Sequence, residues 1–146
     1  MSVALLLITH DSIGSSFLET ATNMLGICPV ATKVLSVTQH SNSEQVLHQA
    51  ERLCEEIEQG DGLLILTDMF GSTPSNIALR LIQQQSTDSE VSRLVAHRLV
   101  VTGINLSMLI RVMNYPQLTL NELAEKAKSG AIEGVFIVDG SSLNKL

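Results

Sequence analysis

Val3-Ala4-Leu5-Leu6-Leu7-Ile8-Thr9 is an unbroken apolar run that ends in His10-Asp11, and it decides how the rest of the chain is read. A strand with one wet face alternates apolar and polar residues. One that is apolar at every position is covered on both faces, as inside a parallel sheet. Just beyond it, Phe17, Leu18, Ala21, Met24 and Leu25 recur at helical spacing over Ser16–Leu25 and stop at Gly26, a residue suited to closing a helix. The opening is therefore strand, then helix.

The same alternation continues to the end. Lys33–Thr38 reads as a second strand, and Ser41–Glu44 as a capping box that starts a helix with Val46, Leu47, Ala50, Leu53, Cys54 and Ile57 on one face, ending at Gly60. Gly62–Thr67 is a third apolar strand. Thr73-Pro74 reads as an N-cap followed by proline in the first turn of a helix reaching about Gln84. The polar stretch Gln83–Arg93 reads as a loop, Arg98–Thr102 as a fourth strand, and Gly103 as a turn into a helix from about Asn105 that Tyr115-Pro116 breaks. Thr119–Glu122 is a second capping box, opening a helix closed by Gly130, and Val135–Asp139 reads as a final strand.

This pattern predicts one α/β domain over residues 1–146: three layers, a mostly parallel sheet of order near 2-1-3-4 plus a C-terminal strand, and helices on both faces. With 146 residues, the chain should bury roughly 68–70% of its unfolded surface, enough to fold without a metal or disulfide staple. Cys28 and Cys54 lack ligand spacing and read as buried free thiols of a reducing, cytoplasmic protein. A net charge of −6 with no Lys/Arg cluster argues against nucleic acid and against a polybasic membrane patch. The apolar start is too short to span a bilayer and has no basic flank, so membrane insertion is not expected.

In an open parallel sheet, ligands bind beyond the carboxyl ends of the strands where the winding reverses, here between strands one and three. Strand one ends in His10, and strand three runs into Asp68-Met69-Phe70-Gly71-Ser72-Thr73-Pro74-Ser75. An aspartate accepting from one imidazole nitrogen fixes the tautomer and leaves the other nitrogen as a directed nucleophile. Gly71, Ser72 and Thr73 lead into a helix N-terminus, whose free N–H groups and dipole favour an anion. Together these parts read as a histidine that carries a phosphoryl group, with His10 and Asp68 catalytic and Gly71, Ser72 and Thr73 phosphate-binding. No metal or cofactor is needed for such a transfer. His40, His48 and His97 read as surface or capping residues, and Met108 and Met113 as core or interface filler.

Three segments carry a resemblance: Leu6–His10, Thr67–Asn76 and Val100–Leu109. On these the chain resembles the EIIA component of the mannose family of the bacterial phosphoenolpyruvate:sugar phosphotransferase system. The resemblance implies a phosphotransferase component in which the phosphocarrier HPr phosphorylates His10, Asp68 orients the ring, and Ser72 and Thr73 contact the phosphoryl group. It also implies an EIIB domain or a regulatory protein as acceptor, and a homodimer with exchange of the C-terminal strand. The chain departs from that family in having Asp11, where glycine usually follows the histidine, and Ser72, where a second glycine is usual. A carboxylate at Asp11 either repels an incoming phosphoryl group or raises the proton affinity of the imidazole.

Two other readings stand beside this one. In a receiver-like domain Asp68 would be the phosphate acceptor and Asp11 would help bind Mg²⁺, but Val138-Asp139-Gly140 supplies no lysine after the last strand. In a purely regulatory interaction module, a free-standing domain with no fused EIIB would report phosphorylation status instead of passing phosphate onward.

Overall fold

The computed structural model of the protein describes residues 2–83 and 97–145. Strands β1 (Ala4–His10), β2 (Thr32–Val37), β3 (Leu63–Thr67) and β4 (Arg98–Thr102) form one all-parallel sheet in the order β2-β1-β3-β4. The α-helices among these residues are α1 (Ile13–Leu25), α2 (Ser43–Ile57), α3 (Thr73–Gln83), α4 (Leu106–Met113) and α5 (Leu120–Glu133), followed by a short 3-10 turn at Ser142–Lys145. The loop expected over Gln83–Arg93 lies outside the described residues beyond Gln83.

The two-sided burial inferred from the first strand is realised residue by residue. Ala4, Leu6 and Ile8 of β1, with Leu63 and Ile65 of β3, pack against Val46, Leu47 and Ala50 of α2 and Ile77, Ala78 and Leu81 of α3. The alternate residues Leu5, Leu7, Leu64 and Leu66 pack on the other side against Ala21 of α1, Met108 and Leu109 of α4, and Leu123 and Ala127 of α5. Leu5 through Ile8 are completely buried, and each contributes roughly 1.5–3 kcal/mol of apolar transfer energy. The winding reverses between β1 and β3, whose register pairs Ile8 with Thr67 and brings their carboxyl ends side by side.

Several helix ends depart from expectation. Gly26 closes α1 in the left-handed region (φ 80°), its N–H bonded to the Thr22 carbonyl, but α1 begins at Ile13, ahead of the apolar stripe. The cap of α2 is Asn42, whose Oδ1 accepts from the N–H groups of Glu44 (3.0 Å) and Gln45 (3.1 Å). Ser41 is drawn back by the turn before it, where its Oγ accepts from Thr38 N–H at 2.9 Å. The Thr119–Glu122 capping box is formed as read. Gly130 does not end its helix: α5 runs on to Glu133, and the glycine is needed because a Cβ there would lie 2.7 Å from Arg111 Cβ on α4.

The predicted C-terminal strand is the main correction. Val135–Asp139 joins no ladder among the described residues, and Val135, Phe136, Ile137 and Val138 are exposed, Ile137 by 93%. The segment leaves α5 without a neighbour to accept its hydrogen bonds, and an apolar run signals a need for burial without saying where the cover lies. Cys28 is a second correction: Cys54 is buried, but Cys28 is exposed in the loop between α1 and β2. Burial pushes the Cys54 thiol up to about 11.

Gly14, in the first turn of α1, is buried against β1, and a Cβ there would lie 2.7 Å from Thr9 Oγ1 and 3.0 Å from Val34 Cγ1. Gly14→Ala should therefore push α1 away from the sheet and destabilise the fold by about 1–3 kcal/mol. Urea denaturation reads this as a lowered midpoint at constant slope; an unchanged midpoint would show that the contact yields freely.

Candidate active site

His10 is the last residue of β1, and Asp68 is the first residue after β3. Adjacent parallel strands in this register bring the two together. Asp68 Oδ2 accepts from the His10 backbone N–H at 2.9 Å and lies 2.7 Å from its ring Nδ1. The other oxygen, Oδ1, accepts from the Met69 N–H at 3.0 Å. An ionised carboxylate only accepts, so in this contact Nδ1 carries the proton and Nε2 of the neutral ring keeps its lone pair. Nε2 makes no hydrogen bond among the described residues, and the imidazole is 41% exposed where the aspartate side chain is 13% exposed.

Burial works to raise the pKa of Asp68. The hydrogen bonds from the His10 backbone and ring, and the positive charge of the protonated imidazole, together outweigh it and hold the carboxyl below its usual value of 3.8. The aspartate is therefore charged at neutral pH.

The loop that carries His10 is pinned at successive residues. Thr9 Oγ1 accepts from the Gly14 N–H at 2.8 Å, tying the end of β1 to the start of α1. The Asp11 N–H donates to the Val37 carbonyl at 3.0 Å, continuing the ladder to β2. Asp11 itself sits at φ 45°, the only non-glycine with positive φ among the described residues. Thr9 is a bracing residue that the sequence reading passed over, since nothing in its type separates it from an ordinary strand threonine.

The second loop is arranged differently from a bare cradle. Gly71 occupies the left-handed region at φ 87°, which explains glycine there. Its N–H donates to Ser75 Oγ at 2.9 Å, so Ser75, which is fully buried, braces the loop from inside α3. The Ser72 hydroxyl donates to the Met69 carbonyl at 2.6 Å, and the Ser72 carbonyl accepts the first helical bond, from the Asn76 N–H. Ser72 thus stands at the cap position and Thr73 is already in α3, one residue on from the expected cap. Thr73 is exposed. The glycine-to-serine spacing of four residues is the signal that could have revealed the brace.

Around this pair lies apolar surface that burial does not explain. Met69 and Phe70 are exposed by 64% and 71%, and Ile13, Phe17 and Leu106 line a shallow hollow of about 370 Å³ next to the His10 loop. Two large apolar residues inside a loop were visible in the sequence, without a reason for being there. Among the other histidines, His40 is exposed and His48 Nδ1 lies 3.7 Å from Glu51 Oε2 on the same helix face. Among the described residues no group of three His, Cys, Asp or Glu side chains is placed to hold a metal ion, and no helix is long and apolar enough to cross a membrane.

The four-stranded, all-parallel, doubly wound sheet matches the flavodoxin-like fold of phosphotransferase IIA proteins. The chain belongs to the EIIA-man family, described as the PTS system fructose IIA component, whose pattern matches residues 4–128. It is accordingly a IIA-type component of such a system. The fold is similar to that of a mannose/sorbose-specific IIA subunit of the phosphotransferase system from Enterococcus faecalis, with TM-score 0.80 and 22% identity over 95% of this chain and 96% of that one. It is similar as well to a phosphotransferase system component EIIA from Streptococcus agalactiae (TM-score 0.75, 22% identity, 97% and 99% covered). A third is the PTS IIA protein associated with the fucose utilization operon of Streptococcus pneumoniae (TM-score 0.73, 22% identity, 99% and 100% covered). No curated protein sequence matches the chain.

The depressed pKa of Asp68 makes a pH prediction. Its contribution to stability is complete above the usual aspartate value and disappears as pH falls through the lower, folded value. Wild-type protein should therefore lose more stability than Asp68→Asn between about pH 4 and pH 2. Denaturation midpoints across that range measure it, and equal losses would show that the carboxylate is not held by His10.

Proposed function

We propose that His10 accepts a phosphoryl group at Nε2 from phospho-HPr and passes it to an EIIB domain. The observation that carries this reading is the 2.7 Å contact from Asp68 Oδ2 to His10 Nδ1, which leaves Nε2 as the exposed, directed nitrogen. In the transfer the Nε2 lone pair forms the bond to phosphorus while the bond to the donor breaks, its electron pair staying on the donor. The ring becomes positively charged, with its proton still on Nδ1, and Asp68 stabilises that charge from 2.7 Å. The loop Gly71–Thr73 receives the phosphoryl oxygens through the Thr73 hydroxyl, and through the Ser72 hydroxyl once it turns from the Met69 carbonyl. Nothing in the step calls for a metal. Met69, Phe70 and Ile13 form the apolar contact that each partner covers in turn, and the setting is cytoplasmic.

The receiver-like alternative is less well supported. Both Asp68 oxygens already accept hydrogen bonds, and the side chain is only 13% exposed where the imidazole is 41%.

Incubation with phosphoenolpyruvate, Enzyme I and HPr should add one phosphoryl group, seen by mass spectrometry and lost in acid but not in mild alkali. His10→Ala should take no label. Asp68→Ala should keep its fold and slow transfer by about 100-fold. Label retained in His10→Ala, or the reverse stability in acid and alkali, would sink the assignment.

The same reading includes a homodimer formed by strand exchange. The outer edge of β4 is unpaired among the described residues, beside a groove of about 540 Å³ lined by Val101, Thr102, Asn105, Met108, Ala131 and Val135. Val135–Val138 is an exposed apolar segment that lacks strand neighbours, and a second copy supplies them in both directions. Sedimentation should find wild-type dimers, and monomers for the double variant Phe136→Asp/Ile137→Asp. Unchanged association in that variant would place any interface elsewhere.

A further inference from the structure

We propose that Asp11 sets the transfer potential of the phosphorylated site: its carboxylate raises the free energy of phosphorylated His10 and makes it a readier donor. The inference rests on phosphorylation of His10 as read above. It concerns a residue with no part in the Asp68 contact.

Backbone conformation comes first. Asp11 is held at φ 45°, a region that a glycine occupies without strain and other residues rarely adopt. A side chain is thus kept where the backbone favours having none, and such strain at a site points toward function. The conformation is fixed by the Asp11 N–H bond to the Val37 carbonyl at 3.0 Å, so the residue is anchored to the end of β2 directly beside His10.

Charge is the second observation. The Asp11 side chain is exposed and makes no hydrogen bond or ion pair among the described residues. The segments that surround the carboxyl ends of the strands, residues 9–17, 37–43, 67–76 and 102–108, contain no Lys or Arg at all. Asp68 is occupied by His10 and Met69. Asp11 therefore adds a negative charge, one residue along the chain from His10, that no Lys or Arg in these segments offsets.

The sign follows from like charges. Phosphorylation forms the Nε2–P bond, breaks the bond from phosphorus to the donor and adds negative charge beside Asp11. Onward transfer reverses that change and relieves the repulsion. For exposed charges several ångströms apart in water, the effect on the phosphorylation equilibrium is about three- to tenfold, and salt screens it. A purely conformational role for Asp11 has no such salt dependence.

The test is the equilibrium constant for phosphoryl exchange between HPr and this protein, which docking rates do not alter. Asp11→Asn tolerates the same left-handed backbone and removes only the charge. It should shift the constant about three- to tenfold toward phosphorylated His10, and Asp11→Gly should shift it equally. Raising salt from 0.01 to about 1 M should move wild type toward both variants and leave the variants nearly unmoved. An Asp11→Asn constant equal to wild type, or a shift seen only in Asp11→Gly, overturns the charge role and leaves backbone strain as the cause. Wild type and His10→Ala run in the same series: if wild type takes no label at His10, the phosphocarrier reading and the Asp11 role both fall.

Discussion

One carboxylate oxygen governs both the position and the tautomer of His10. Asp68 Oδ2 accepts from the histidine's backbone N–H and contacts its ring Nδ1, so the same atom fixes where the residue sits and how the ring is turned. A side chain held only at the ring would still swing about its own backbone. Here the two contacts share one acceptor on the neighbouring strand's end, and the second acceptor atom is spent on the Met69 N–H. The aspartate is held through both of its oxygens, and it holds the histidine at backbone and ring.

That arrangement depends on the sheet beneath it. Parallel strands covered on both faces have little freedom to slip, because a shift of one residue would turn every side chain of β1 into the opposite layer. Leu5, Leu6, Leu7 and Ile8 fill both layers without residual exposure, so register is enforced from two sides at once. The ladder that pairs Ile8 with Thr67 then sets the relation of the next residues beyond each strand. Gly14, Thr9 and Val37 extend the same control past the end of β1 by engaging the loop through its neighbours. The apolar core thus acts on the site by fixing a register.

Much of this was legible because burial and periodicity are local properties of sequence. The run Val3–Thr9 is two-sided in composition and two-sided in place, and His10 and Asp68 end strands that a common winding makes neighbours. What failed depended on partners that local pattern does not encode. Val135–Asp139 has the composition of a strand, but strand formation requires pairing with an adjacent edge, and among the described residues it pairs with none. Ser41 and Asn42 are both capping residues, and only the preceding turn, which takes the Ser41 hydroxyl, decides between them. Gly130 looked like a helix end because glycine usually marks one. Its actual cause is the close approach of Arg111 from another helix. The Gly71 N–H and the Ser72 hydroxyl donate to Ser75 Oγ and the Met69 carbonyl, pairings that local pattern does not announce.

The two aspartates near His10 show why proximity alone does not define a carboxylate's role. Asp68 meets Nδ1 directly, in a partly buried contact, and in the proposed transfer its charge complements the positive ring. Asp11 is fixed by its backbone instead, and its carboxylate is exposed and has no partner among the described residues. A single residue could not serve both ends, because the interaction that orients the ring also neutralises the charge that makes it. On the proposed reading, with Asp68 engaged and Asp11 left unpaired, the site would separate orientation of the ring from the energy of its phosphorylated state. The first is built into strand register. The second would rest on one exposed side chain at the carboxyl end of the sheet, where a substitution changes charge without touching the buried core.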